Sequence, residues 1–295
     1  VTTSLADEFE THRPLLFGLA YRMLGSAADA EDVVQDAYLR FSGTDRAAVE
    51  QPRAWLAKVV TNLCLNLLAS ARARRERYTG TWLPEPVVTS DGTLGPLESA
   101  ERRDCVSMAL LVLLERLTPT ERAVYVLREA FAYDHREIAG VLALGEANCR
   151  QLYRRAVQRL AVTEARFEAP VEQQEGLVAS FLTAAREGDL AGLERLLAAD
   201  VTWWSDGGGK VRAALRPIQG RGKVLRFFAG VTNRIEAGAE FTTVEVNGSA
   251  ALVGQHDSQV FVVVSFEAHD GLFTQMRGVL NPDKLAFVGR QLAGV

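Results

Sequence analysis

Cysteine is scarce and scattered. There are three in 295 residues, Cys64, Cys105 and Cys149, with no CxxC pair and no Cys/His spacing suited to zinc. That excludes a disulfide-stapled scaffold and the common zinc modules, and it reads as small buried thiols in a reducing compartment. Long apolar runs are missing too. No stretch reaches the roughly 18 residues that a membrane span requires, so no membrane partner is expected. The first residues, VTTSLADEFETHRPLLFG, are acidic and interrupted by Pro14, unlike a secretory signal. No single charge dominates: 33 Lys and Arg stand against 37 Asp and Glu. Any nucleic-acid site must then be a local basic face. Phosphate-loop spacing is absent as well. In WSDGGGKV, residues 204–211, the glycines do not follow GxxxxGK[ST], and Val211 stands where a magnesium-binding hydroxyl would be needed. No cofactor and no metal site are expected, and the expected address is the cytoplasm.

What is present is enough apolar material for real cores, 48% of residues, in a chain long enough for two or three domains. Leu15, Leu16, Leu19 and Met23 recur at helical spacing until Gly25. Asp29 opens a second helix with Val33, Val34, Ala37, Tyr38 and Phe41 inward. Pro52 starts a third, which carries Trp55, Leu56, Val59, Val60, Leu63, Leu67 and Leu68 and ends in Arg72, Arg74, Arg75 and Arg77. Residues 78–100 hold three prolines and three glycines and read as a linker. The WLPEP inside it is unusual, because a tryptophan beside two prolines needs somewhere to dock. Helical periodicity returns over 101–168, where Thr118 and Glu121 form a capping box. Two helices follow, at 175–187 and 189–199. Short β-rich runs come next: VTWW, FTTVEV, AALVGQ, QVFVVVSFEA and LFTQMRGVL. The fold class is therefore multidomain, two all-α modules followed by an α+β domain, with boundaries at 1–77, 78–100, 101–168 and 169–295.

The chemistry concentrates in DHREIAGVLALGEANCRQLYRRAVQRL, residues 134–160. A short helix, a turn near Gly145 and a second helix form a helix-turn-helix pattern. Cys149, Leu152, Ala156 and Leu160 line one side of the second helix. Asn148, Arg150, Gln151, Arg154, Arg155, Gln158 and Arg159 line the other, and these are side chains that read base edges and hold phosphates in a major groove, or else form a solvated basic face on a structural helix. The third helix adds Thr61, Asn62 and Asn66 ahead of its arginine tail, a setting suited to an unstacked base. The acidic helix with Asp32, Gln35 and Asp36 suits a basic protein surface instead, or simply water.

DAEDVVQDAYLR, then PRAWLAKVVTNLCLNLLASARARRE, then the helix-turn-helix segment together resemble the extracytoplasmic-function group of the bacterial sigma-70 family. That resemblance covers about residues 5–165. It implies a region 2 helical bundle and a region 4 helix-turn-helix, with core RNA polymerase and promoter DNA as partners. Asp32, Gln35 and Asp36 would lie on the polymerase-docking helix. Thr61, Asn62, Asn66, Arg72, Arg74 and Arg75 would lie where the minus-ten element is opened. Asn148, Arg150, Gln151, Arg154 and Arg155 would lie on the helix that reads the minus-thirty-five element. Gly145 departs from the serine common at that turn.

The remainder resembles SnoaL-like domains with a curved sheet around a cone-shaped cavity. Three signatures mark a subgroup of these sigma factors with such a domain fused on: Trp82 with Pro84, Glu85 and Pro86; Asp206, Gly207, Gly208, Gly209 and Lys210; and Asn281, Pro282, Asp283, Lys284 and Leu285. They imply regulation in cis. The aspartate and lysine around the glycines either lock their own turn or clasp another segment such as WLPEP. Asp206, His256, Asp257 and His269 are the acid-base candidates, but the sequence places no two in one cavity and no catalytic residue is assigned. The rival reading is a ligand-sensing or isomerase-like domain on a DNA-binding module, and an unidentified small ligand in the cavity stays open.

Overall fold

The first helix runs from Leu5 to Leu24 (α1) with Pro14 inside it. The proline removes the bond that its nitrogen would give to Glu10. The helix continues because Leu16, Leu19, Ala20 and Met23 are all buried along one side. Ser26 caps the second helix (α2, Ala27–Ser42), its hydroxyl accepting from the Asp29 amide at 3.1 Å. The helix therefore starts two residues ahead of the expected Asp29. Val33, Val34, Ala37 and Phe41 face inward, and Pro52 opens the third helix as expected (α3, Pro52–Glu76). These three helices pack on one another.

The computed structural model describes residues 5–45, 49–76, 78–90, 92–94, 106–164, 171–232 and 238–294; side chains at 70–76, 162–164, 171–173 and 232 lie outside that description. Among the described residues no helix is long and apolar enough to cross a membrane. Two compact units are present, one of residues 1–76 and 91–163, the other of residues 77–90 and 164–295.

The first unit adds α4 (Met108–Leu114), α5 (Pro119–Glu129), α6 (His135–Leu142) and α7 (Glu146–Glu164). The expected capping box is formed: the Thr118 amide donates to Glu121 at 3.0 Å and the Glu121 amide to the Thr118 hydroxyl at 3.3 Å. A second box, Asp134 with Glu137, opens α6 and was not anticipated. α6 ends on Ala143 in the left-handed region at φ 54°. Gly145 contributes only its carbonyl, which accepts from the Cys149 amide at 3.1 Å. Cys64 and Cys149 are buried free thiols, and Cys105 lies outside the described residues.

α5 packs against α1 and α3 through a buried arginine. Arg122 is 2% exposed. Its Nε donates to the Arg22 carbonyl at 3.0 Å and its Nη1 to Glu115 at 2.5 Å. A cation at the C-terminal end of α1 suits the helix dipole. Burial pulls the guanidinium down to about 9, which leaves it charged at neutral pH.

The second unit contains α8 (Val171–Glu187), α9 (Leu190–Leu196), β1 (Leu197–Asp206), β2 (Ile218–Gln219), α10 (Arg221–Thr232), β3 (Glu240–Val246), β4 (Ser249–His256), β5 (Gln259–His269), β6 (Leu272–Val279) and α11 (Pro282–Ala293). The sheet order is β2-β1-β6-β5-β4-β3. Among the described residues only the β1–β6 pair is parallel. The expected helix to 199 stops at Leu196, because Leu197 already pairs with Phe273 of β6. One sheet face buries Val201, Trp203, Leu252, Val264, Phe266, Phe273 and Met276 under Val178 and Phe181 of α8 and Val224 of α10. Phe181 meets the rings of Phe228, Phe266 and Phe273 at 5.3 to 6.0 Å. α11 packs on β5, with Leu285 and Val288 buried. The β5 residues of opposite parity, Val263 and Ser265, are buried too, as two-sided covering of a strand requires.

Ala143 gives the first prediction. A non-glycine residue in the left-handed region is strained by about 1 kcal/mol, and glycine relieves most of it. Ala143→Gly should slow amide exchange in α6 and raise the unfolding midpoint of the helical unit. A lower midpoint would contradict the left-handed cap.

Candidate functional site

α7 sorts its residues as the sequence predicts. Cys149, Ala156 and Leu160 are buried, while Asn148, Arg150, Gln151, Arg154 and Arg155 are exposed. Arg150 pairs with Glu146 one turn back on the surface, a contact readily exchanged for phosphate. Arg159, farther along, is exposed as well but its guanidinium is paired with the buried capping glutamate Glu121. The positions on α3 divide. Asn62 and Asn66 are exposed, but Thr61 is fully buried and its hydroxyl donates to the Ala57 carbonyl at 2.7 Å. Thr61 therefore faces the helical core and offers no surface here, a correction to its placement on the DNA-facing side. Arg72, Arg74 and Arg75 lie on α3, with side chains outside the described residues. On α2, Asp32, Gln35 and Asp36 are all exposed. Leu39 continues that stripe one turn on and is 59% exposed, an apolar site that the charge pattern alone did not flag.

The three signatures of the second unit converge on Asp206, the last residue of β1. Its side chain is 0% exposed and that of Lys284, from α11, is 7%. One carboxylate oxygen accepts from the Tyr78 hydroxyl at 2.5 Å and the Gly208 amide at 3.0 Å. The other accepts from the Leu83 amide at 2.8 Å and Lys284 Nζ at 2.7 Å. Lys284 also donates to the Leu83 carbonyl at 2.5 Å, and its ammonium lies 4.2 Å from the Trp82 ring centre and 4.8 Å from that of Tyr78. Two aromatic faces and two oxygens thus replace the water that the lysine loses. Trp82 has its dock, and it docks on a cation.

The aspartate and lysine around the glycines do not pair with each other. Asp206 takes Lys284, and Lys210 takes Asp283 at 2.5 Å. This is the clasping alternative, not the locked turn. The exposed Lys210–Asp283 pair is a minor contributor. Gly208 adopts φ 61°, and a Cβ there would lie 2.3 Å from the Asn281 amide nitrogen. The glycine run therefore admits Asn281, which in turn donates to the Tyr78 hydroxyl at 2.8 Å. Pro282 and Leu285 serve as helix start and buried anchor of α11.

Pro84, Glu85 and Pro86 are buried within a continuous buried stretch from Leu83 to Thr89. That stretch is hydrogen-bonded along its length. The Asn247 amide donates to the Val87 carbonyl at 2.9 Å, the Thr89 amide to the Glu245 carbonyl at 3.2 Å, and the Gln291 side chain brackets Val88 at 2.9 and 3.0 Å. Residues 78–90 are thus a strap on the β3 edge and α11. The chain leaves the helical unit after Glu76, crosses the second unit, and returns to the first at residue 91.

The Sigma-70 region 2 family matches residues 9–74, and the Sigma-70, region 4 family matches residues 107–160. The ECF RNA polymerase sigma factor SigJ of Mycobacterium tuberculosis is 38% identical over 97% of this chain and 94% of its own length. This chain belongs to the extracytoplasmic-function sigma factors. The crystal structure of SigJ from that organism aligns with a TM-score of 0.76 and 35% identity, covering 96% of this chain and 98% of that one. A second M. tuberculosis sigma factor, SigI, is 36% identical over 64% of this chain and 65% of its own.

In this sigma factor the acid-base candidates are dispersed. His256 and Asp257 lie where β4 turns into β5, and His269 lies at the far end of β5, eleven residues long and hence roughly 30 Å away. Asp206 is engaged in the clasp. Tyr78, Asn247 and Gln291 are clasp and strap residues that sequence reasoning missed. A lone tyrosine at the head of the proline-rich segment was the available signal for the first; the other two had none.

Burial, then the bond to Asp206 and its charge, push the Tyr78 phenol above its ordinary value. An unfolded chain ionises that tyrosine near pH 10 while the folded one holds its proton. Stability of the second unit should therefore fall as pH rises past about 10; a rise would contradict the half-buried phenol bonded to Asp206. Asp206→Ala strands a buried ammonium and should cost about 3–5 kcal/mol. Asp206→Leu combined with Lys284→Met should recover most of that in chemical denaturation followed by tryptophan fluorescence. Equal losses in the single and double variants would refute a coupled pair.

Proposed function

We propose that this chain is an alternative sigma factor held in check by its own C-terminal domain. α2 docks on core RNA polymerase through Asp32, Gln35, Asp36 and Leu39. The exposed side of α3, with Asn62, Asn66 and the arginines at 72, 74 and 75, takes the opened minus-ten element. Asn148, Arg150, Gln151, Arg154 and Arg155 of α7 read the minus-thirty-five element in the major groove. The work is binding and strand separation, with no bond chemistry in the chain.

One observation carries the regulatory part: the segment joining the two DNA-reading modules is fastened into the C-terminal domain by the Asp206–Lys284 clasp. The two promoter elements lie about 25 base pairs apart, roughly 85 Å of duplex. A compact unit of roughly 150 residues has a radius of gyration near 15 Å, hence a diameter of about 40 Å. Packed together, α3 and α7 cannot reach both elements, so the helical unit must open on the promoter. The strap between α3 and α4 carries the C-terminal domain with it. A tethered domain needs no tight interface to favour the closed form, and polymerase or DNA shifts the population toward the open one.

Run-off transcription with purified core polymerase tests this. The full chain should give promoter-specific transcripts. Arg154→Ala should lower output by roughly tenfold, the worth of one bidentate base contact. Tyr78→Phe removes one bond to Asp206 without stranding a charge, and it should raise output about two- to tenfold. Absence of both transcript and core binding sinks the sigma assignment. Output unchanged by Tyr78→Phe sinks the regulation in cis.

A further inference from the structure

We propose that the β2 edge of the C-terminal unit is a second DNA-binding surface, one that holds duplex phosphates without reading sequence. It rests on the reading that this chain works on promoter DNA. Six Lys and Arg fall between Gly207 and Val231, and no Asp or Glu does, in a chain whose net charge is −4. Two of the six are engaged. Lys210 is paired with Asp283, and Arg221 lies 3.9 Å from Glu194. The other four, Arg212, Arg216, Lys223 and Arg226, are exposed and make no ion pair among the described residues.

These four cations stand on fixed supports. The Ala214 amide donates to the Ser205 hydroxyl at 3.0 Å, which pins the loop midway between Arg212 and Arg216. The loop runs into β2, paired with β1, and the Gly220 amide then donates to the Val201 carbonyl at 2.8 Å. Lys223 and Arg226 are one turn apart on the exposed side of α10, whose inner side buries Val224 against β1. Val211 and Leu215 are exposed beside the arginines, Leu215 to 64%. Surface charges of both signs are ordinarily interspersed. An edge that holds four unpaired cations on fixed supports, with carboxylates confined to the paired positions at Asp283 and Glu194 and to Asp200 on β1, and with exposed apolar residues between the arginines, instead matches a polyanion whose condensed counterions are released on contact. Guanidinium groups can grip phosphate through two hydrogen bonds at once.

The test is binding of the full chain to a labelled duplex without promoter sequence, over about 50 to 200 mM salt. The variant carries Arg212→Gln, Arg216→Gln, Lys223→Gln and Arg226→Gln; its partner carries Arg150→Gln, Arg154→Gln and Arg155→Gln in α7. The edge variant should bind at least tenfold more weakly at the lowest salt. Its slope of log affinity against log salt should fall by about 3.6, near 0.9 for each of the four lost phosphate contacts. Arg212→Lys with Arg216→Lys should keep the slope, which separates charge from folding. The α7 variant should lose discrimination between promoter and random duplex, whereas the edge variant should keep that discrimination while losing affinity for both duplexes. The proposal fails if the edge variant keeps both slope and affinity. It fails equally if the variant keeps DNA but loses vesicles rich in phosphatidylglycerol, which would make the edge a lipid surface. Promoter transcription by the unaltered chain reads the sigma assignment separately, so either failure stands apart from that one.

Discussion

A carboxylate and an ammonium removed from water together organise the second unit. Neither Asp206 nor Lys284 could be buried alone, since an isolated buried ion loses several kcal/mol of hydration. The carboxylate is satisfied by four donors from three segments, two of them distant in sequence: Tyr78 and Leu83 of the strap, Lys284 of α11, and the neighbouring Gly208. Remove the strap and two of the four donors go. Remove α11 and the countercharge goes. The end of β1, the glycine turn, the start of α11 and the strap are therefore each conditional on the others, which is how a buried polar network becomes specific.

The helical unit handles its own buried ion differently. Arg122 reaches one carbonyl and one carboxylate, and its Nη2 has no partner among the described residues. A buried donor left unmade is costly by about 1–3 kcal/mol. The packing of α5 on α1 and α3 thus includes an element that water would satisfy better, whereas the Asp206 carboxylate is fully met.

Much of this was legible in residue order. Apolar spacing located α1 to α3 and α5 to α7, the Thr118–Glu121 box marked a helix start, and the polar side of α7 came out as predicted. The failures have local causes. Thr61 looks like a surface polar residue but satisfies itself on the Ala57 carbonyl, which lets it sit in the core. The segment 78–100 has the composition of a linker, yet Leu83 to Thr89 are buried, because edge-strand and helix partners far along the chain meet their backbone groups. α10 and α11 were not foreseen, although Asn281-Pro282 is a helix-start pair.

Residue order by itself determined the modules, the side of each helix that faces solvent, and the family. These depend on periodicity, caps and motif spacing, all of which act within a few residues. Which ionic partner each signature residue takes was decided only by tertiary structure. Asp206 pairs 78 positions away and not with its neighbour Lys210, because the glycine turn delivers its carboxylate to the sheet face that α11 and the strap enclose. Burial and charge pairing across such distances are properties of the assembled sheet.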